Sequence, residues 1–527
     1  MTHVAWNTLS LREKVGQLFI CGFDGHEPTE GIRRLIEEFS LGGIVYFRRN
    51  MRDAAQVAEL SASLQRLAKY PLFISIDQEG GMVVRLEEGV TVMPGAMAIG
   101  AAGQPEWAYE AASLSGAELR EIGLNMNFAP CLDVNNNPSN PVIGVRSYGE
   151  HPESVAALGV AALKGYQASG VAAVAKHFPG HGDTDADSHH ELPVVPHGRE
   201  RLDSIELVPF RAAIASGVDA IMTAHVVFPA YEPDDVPATL SKRILTGLLR
   251  EQLGFEGVVV TDCLEMNAIS ETIGVARGAV KAVKGGADLI LVSHRLDRQI
   301  AAVEAVYDAV LAGEIPESRI NEAVERIWKL KQARGLLTDE LPAASNREKA
   351  EEIAKRISEA AVTVVKGGER LPLPRSANLL TVWAEARVGT EVVEVIEQER
   401  TLGAALRTEG YSVNELRVGL YPDEEESLSV VQAAEQADII LFASYDAGFS
   451  KPQTELIRRL SELPNRIFGL VATRTPYDLL EVPDVPLYIC TYENKPTMMN
   501  ALAGVLSGRL PAQGRLPITV GSYTRTN

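Results

Sequence analysis

Positive charge is scarce in this chain: 50 Lys and Arg residues stand against 70 Asp and Glu, for a formal net charge of −20. Nucleic-acid binding draws affinity from concentrated Lys and Arg that displace counterions, and no basic face interleaved with aromatics interrupts the acidic background. Both facts argue against a nucleic-acid partner. Cysteine is scarcer still. Cys21, Cys131, Cys263 and Cys490 lie far apart without CxxC spacing, which disfavours a zinc knuckle or a small disulfide scaffold and leaves small buried hydrophobes. No stretch is apolar for long enough to cross a bilayer, and MTHVAWNTLSLREKVGQLF at the start lacks the regions of a secretion signal. The expectation is a soluble, cytoplasmic protein without a membrane partner. Also missing are a G-x-S-x-G elbow and a P-loop, which sets aside serine-hydrolase and P-loop chemistry, and a GxGxxG after the first strand, which disfavours the runner-up fold, an open doubly wound sheet.

What is present is a chain of 527 residues, enough for two or three cores. Up to about residue 335, eight short apolar runs alternate with amphipathic stretches. The runs are GQLFICGF, GGIVYF, PLFISID, MNFAPCLDV, AAVAKHF, AIMTAHVVF, GVVVTD and ADLILVSH. The stretches include 56–69, 152–168, 201–216, 242–253 and 298–312. Continuously apolar strands separated by helices predict a parallel (β/α)8 barrel, covered on both faces of its sheet. Asp77, Asp133, Lys176 with His177, His225, Asp262 and His294 all fall at or just beyond the last apolar residue of a run. In such a barrel that end carries the active site, so these residues are expected to converge. Arg85, eight residues past Asp77 beyond Gly80 and Gly81, and Arg146, closing an Asn/Pro/Gly-rich loop, add forked donors suited to a hydroxyl-rich or anionic ligand.

The run LLTDELPAASN, residues 336–346, reads as a linker between a barrel domain over 1–335 and a second domain over 347–527. A helix over 347–361 and the strand-like runs VTVVK, NLLTVWA, DIILFAS, RIFGLVA and PLYICTY predict a three-layer αβα sandwich there. The closing SGRLPAQGRLPITV is expected as an edge element. No cluster of titratable groups stands out in this half, which suggests a structural or assembly role.

The densest such cluster is KHFPGHGDTDADSHHEL, residues 176–192, holding four of the ten histidines. Imidazoles beside carboxylates on a Gly- and Asp-rich backbone predict a mobile loop that delivers a proton. Asp187 and His189, one residue apart, allow the carboxylate to hold one imidazole nitrogen while the other faces substrate. Its charge raises the imidazole pKa toward neutrality. Asp262, after a run of valines, suits a carboxylate nucleophile that is ionised yet poorly solvated. A fixed carboxylate and a separate acid/base are the constellation of a retaining glycosidase, with histidine in place of the usual second carboxylate. Metal chemistry is the competitor. Pro179 and Gly180 spoil a helical pairing of His177 with His181, and Ser188 occupies the glycine position that a calcium loop would need.

KHFPGHGDTDADSHHELP resembles the signature of the β-N-acetylglucosaminidases of glycoside hydrolase family 3, and VVVTDCLEM resembles their nucleophile segment. IDQEGGMVVRL, NFAPCLDV, GVRSYG and MTAHVVFPA are similar to further blocks of the family, in the same order. The resemblance implies Asp262 as nucleophile, His189 as acid/base supported by Asp187, and Asp77, Arg85, Arg146, Lys176 and His177 as the set binding a terminal N-acetylglucosamine. No cofactor and no metal are expected. The resemblance also implies a small carbohydrate partner, of which peptidoglycan-derived muropeptides are the bacterial example. A phosphorylase of the same chemistry and a non-catalytic sugar-binding protein are the alternatives, and oligomeric state is left open.

Overall fold

A computed structural model of the chain describes residues 5–187, 192–338, 344–387, 398 and 400–524. His189 lies outside these residues, as do Ser188, His190, Glu191 and positions 339–343 of the expected linker.

The first sheet has eight parallel strands: β1 (Phe19–Cys21), β2 (Gly43–Tyr46), β3 (Phe73–Ile76), β4 (Met126–Asn127), β5 (Ala172–Phe178), β6 (Ala220–Thr223), β7 (Val258–Val260) and β8 (Ile290–Val292). Each lies within one of the eight apolar runs. They are ordered β7-β6-β5-β4-β3-β2-β1-β8, and a parallel bridge between Val260 and Leu289 closes the remaining seam into a barrel. All of their residues are buried, as a sheet covered on both faces requires. β4 is shorter than its nine-residue run because Pro130 has no N–H to give the ladder. The chain resumes pairing only at Cys131, opposite Lys176. The expected helix over 201–216 is broken into Arg199–Ser204 and Leu207–Ala215. Pro209 explains the break: its ring occupies the place where the carbonyl of Ile205 would receive a helical bond.

At the barrel end away from the strand C-termini, Asp288 is fully buried and gathers three arginines. Arg250 Nη2 and Arg319 Nη2 each donate over 2.6 Å and Arg326 Nη1 over 3.1 Å, while the Val259 amide donates over 3.0 Å. This anion ties β7 and β8 to the two helices outside them. Asp288→Asn keeps the volume but leaves the guanidiniums without their counter-charge, so a loss of about 3 kcal/mol of stability is expected. The urea midpoint should fall while KM stays as in the parent, because the cluster lies at the opposite end of the barrel from the strand termini that carry function.

The second sheet runs β11-β10-β12-β13-β14-β9, with β9 (Thr363–Lys366), β10 (Asn378–Glu385), β11 (Ser412–Gly419), β12 (Ile439–Ser444), β13 (Ile467–Ala472) and β14 (Tyr488–Cys490). All pairings are parallel except β14 with β9. Helices Leu402–Thr408 and Pro496–Leu506 pack together on one face, Glu424–Ala434 and Lys451–Ser461 on the other, making an αβα sandwich. β11 has no counterpart among the apolar runs: it is an edge strand, largely part-exposed, whose SVNELRVG mixes polar with apolar positions.

The two halves share side chains. Ala350, Ile353, Ala354 and Ile357 of helix Arg347–Ala361 join the barrel core, while Met97, Ala98, Ala101 and Val145 of the barrel join the core of the sandwich. The closing SGRLPAQGRLPITV is not an edge strand. Its prolines cannot complete a ladder, and it instead crosses to the barrel, where the Arg515 amide donates to Ala101 O (3.1 Å) and Pro517 O accepts the Glu150 amide (3.1 Å). Among the described residues, no helix is long and apolar enough to cross a membrane.

Candidate active site

The strand C-termini of the barrel surround a cavity of about 360 Å3 whose lining includes Asp77, Glu79, Arg85, Arg146, Lys176, His177, His181, Asp262 and His294. Every sequence-derived binding residue is there, together with Asp262. Asp187 is part-exposed and does not line the cavity, and His189 lies outside the described residues.

A chain of buried charges forms one wall. Lys176 leaves β5 with its ammonium 2.7 Å from Asp77 Oδ1 and 2.6 Å from Glu79 Oε1. Arg146 forks onto Glu79 through Nε (3.0 Å) and Nη2 (2.8 Å), and its Nη2 lies 3.4 Å from His177 Nε2. Burial by itself would raise the Glu79 carboxyl, but Arg146 and Lys176 outweigh it and hold the group below the usual carboxylate range. Burial would likewise lower Lys176, but Asp77 and Glu79 keep it above the usual lysine value, so the wall stays charged on both sides at neutral pH. Arg85 Nη2 lies 3.9 Å from Asp77 Oδ2.

Glu79 was not among the sequence candidates. Its signal was present, two residues beyond Asp77 and so on the same side of an extended chain, but a carboxylate in DQEGG also reads as a solvated loop residue.

His177 is set from beneath. Its Nδ1 lies 2.7 Å from Asp133 Oδ2, and Asp133 also accepts the amides of His177 and His181 and the thiol of Cys131. Burial would raise Asp133, yet His177 and His181 draw it below the carboxylate range. Among the described residues, Cys131, Asp133 and His177 form one group of possible metal donors, with ligand atoms within 4.8 Å. The Asp133 carboxylate there is already filled by N–H and S–H donors, the pattern of a support for His177 rather than of an ion cage. His181 does not pair with His177 as metal ligands would. The two rings stand edge to face at 5.9 Å, His181 Nδ1 lies 2.9 Å from Thr184 Oγ1, and burial pushes the imidazole down to about 4.

The expectation of a mobile loop therefore fails for its first half. Asn140 donates to the carbonyls of His181 and Gly182, a Cβ at Gly182 would stand 1.8 Å from Val134 O, and Asp183 is held by His197 (2.7 Å) and Arg201 (3.3 Å). Asp133 accepts the His181 amide and Asn140 donates to the carbonyls that follow, so this Gly- and Asp-rich backbone is tied to the β4 loop.

Asp262 follows β7 across the cavity. The Thr261 and Leu264 amides bond to Leu289 O (2.9 Å) and Leu291 O (3.0 Å), bracketing it on β8, and its own Oδ1 accepts the Cys263 amide at 2.7 Å. His225 is fully buried, with Nε2 2.9 Å from Cys263 O and Nδ1 2.7 Å from Thr239 Oγ1, so it braces this segment instead of facing the cavity. Phe47, Phe128, Met222, Met266 and Leu291 supply an apolar surround, with the Phe47 ring 5.1 Å from that of His294. A fixed carboxylate facing a wall of forked cations and carboxylates, in a space of this size, can hold one polyhydroxylated ring with its reacting carbon presented to Asp262.

Comparison with known proteins agrees with this fold. A solved β-N-acetylglucosaminidase of glycoside hydrolase family 3 from Paenibacillus sp. str. FPU-7 is 52% identical, with a TM-score of 0.95, covering 99% of this chain and 100% of its own. Beta-hexosaminidase A of Pseudoalteromonas piscicida is 36% identical over 454 residues, 79% of this chain and 73% of that protein. A beta-hexosaminidase of Stenotrophomonas maltophilia is 38% identical over 295 residues, which take up 54% of this chain but 87% of the relative. Residues 10–330 match the glycosyl hydrolase family 3 N terminal domain, and with the barrel, its cavity and the sandwich accounted for, the chain belongs to glycosyl hydrolase family 3.

Proposed function

We propose that this chain is a retaining exo-β-N-acetylglucosaminidase in which Asp262 is the nucleophile and His189, oriented by Asp187, the acid/base. The observation that carries the reading is the fixed Asp262 carboxylate opposite the Asp77–Lys176–Glu79–Arg146 wall in one sugar-sized cavity. The likeness to the Paenibacillus β-N-acetylglucosaminidase and the Pseudoalteromonas beta-hexosaminidase supports the same class. In the first step an Asp262 oxygen bonds to the anomeric carbon as the glycosidic C–O bond breaks, and the departing oxygen takes a proton from His189. In the second, His189 takes a proton from water, whose oxygen attacks the same carbon and frees Asp262. Asp77, Arg85, Arg146, Lys176 and His177 hold the terminal sugar. Residues 1–335 form the catalytic unit and 347–527 the second domain, with 336–346 between them. Muropeptide fragments in the cytoplasm, bearing a terminal β-linked N-acetylglucosamine, are the substrate we favour.

Release of nitrophenol from nitrophenyl β-N-acetylglucosaminide, with the β-glucoside as control, tests the activity. No turnover of either would leave a sugar-binding protein, and a sugar 1-phosphate formed on adding phosphate would make it a phosphorylase. His189→Ala should slow substrates with alkoxide leaving groups by about 100-fold, and nitrophenyl substrates by less than about tenfold, because nitrophenolate leaves without a proton. Equal losses on both would remove His189 as the acid.

A further inference from the structure

We propose that Glu493 and Lys495 of the second domain are positioning residues for the sugar-binding wall, gripping the loop between Asp77 and Gly95 from outside the barrel. The inference rests on Asp77 and Glu79 being part of that wall.

After β3 the chain passes Asp77 and makes a tight turn, in which the Glu79 amide donates to Val83 O at 3.0 Å and Gly80 bridges Val83. The Gly81 amide then donates to Met93 O at 2.8 Å, so residues 81–93 form a closed excursion with Glu79 at its neck. Glu493, just beyond β14, reaches that neck. Its Oε2 accepts the Gly95 amide at 2.7 Å, and a Cβ on Gly81, which has φ +55°, would stand 2.7 Å from the same oxygen. Glycine is required here both for the backbone conformation and for the approach of the carboxylate. Lys495 grips the far side of the excursion, with Nζ 2.9 Å from Glu87 Oε1. The same oxygen accepts Arg48 Nη2 at 2.7 Å, and Arg48 Nη2 also donates to Val84 O, next to Arg85.

Both residues are almost wholly buried. Burial pushes the Glu493 carboxyl up to about 7 against the pull of the Gly95 amide and Lys495. A plain domain contact would be cheaper with an apolar side chain, so a buried ionisable group placed here argues for placement of the loop rather than adhesion. The chain of contact runs from Glu493 through Gly81 and Gly95 to Glu79, and from Glu79 to Arg146 and Lys176.

The test is steady-state kinetics of the full chain on nitrophenyl β-N-acetylglucosaminide. Glu493→Leu and Lys495→Met should each raise KM about tenfold with kcat within about twofold, whereas Glu493→Gln, which keeps an acceptor for Gly95, should stay near the parent. Glu79→Gln is the reference, and a KM unchanged in it would mean that the reading of the wall itself is wrong. A raised KM in Glu79→Gln beside parental KM and a lowered melting temperature in Glu493→Leu and Lys495→Met would overturn the proposal and make these contacts domain glue. Should Glu493→Leu fail to fold, Lys495→Met decides by the same criterion.

Discussion

Asp262→Asn is expected to lower kcat on nitrophenyl β-N-acetylglucosaminide by about 10⁴-fold or more, equivalent to about 5.5 kcal/mol of transition-state stabilisation. The substitution is unusually clean because the segment is held by its neighbours: the Thr261 and Leu264 amides on β8, and His225 on Cys263 O. Asn keeps the side-chain oxygen that accepts the Cys263 amide, so the melting temperature should barely move. What disappears is the negative oxygen that would attack the anomeric carbon. Asp262→Ala goes further by opening space. Azide supplied to it should restore nitrophenol release and yield a glycosyl azide of inverted configuration, since azide enters from the face that Asp262 occupies. A mechanism in which the 2-acetamido oxygen of the substrate served as nucleophile would give no such azide product, and turnover within about tenfold of the parent would remove Asp262 from the chemistry altogether.

The barrel was legible because its strands are buried on both faces, so each appears as an uninterrupted apolar run such as GVVVTD, with a polar residue at or near its end in most of them. That regularity made Asp77, Lys176, His177 and Asp262 visible as a group although they are scattered over almost two hundred positions. The same logic fails at an edge. β11 mixes polar and apolar residues because one side of it lacks a neighbouring strand, and so it left no apolar run to read. Glu79 was hidden for a different reason: its meaning depends on Arg146, whose approach is set by a loop from another strand. Glu493 is an extreme case, since its partner Gly95 lies 398 positions away. Local pattern identifies which residues reach the rim of the barrel. It does not identify which distant groups hold them there, because those contacts depend on how two separately built sheets dock.

Lys176→Met tests the electrostatics of that rim, with an expected loss of about 3–5 kcal/mol of stability at pH 7 and a KM raised about tenfold or more. Methionine fills much of the volume of the lysine stem, so the loss should come from charge. With the ammonium gone, Glu79 keeps Arg146, while Asp77 loses its 2.7 Å partner and has Arg85 at 3.9 Å. The pH dependence gives the argument its sign. In the parent, Glu79 titrates below its unfolded value of 4.5, so the stability it contributes is complete above that value and is lost as pH falls toward the depressed folded one. Removing Lys176 takes away one of the two cations that hold Glu79 down, so its folded value rises, and a protonated carboxyl no longer needs the ammonium. The gap in urea midpoint between parent and variant should therefore be full at pH 7 and narrow as pH falls below about 5. A gap of the same size at both ends would mean that Lys176 acts by packing, and the charged wall would lose its place in the account of sugar binding.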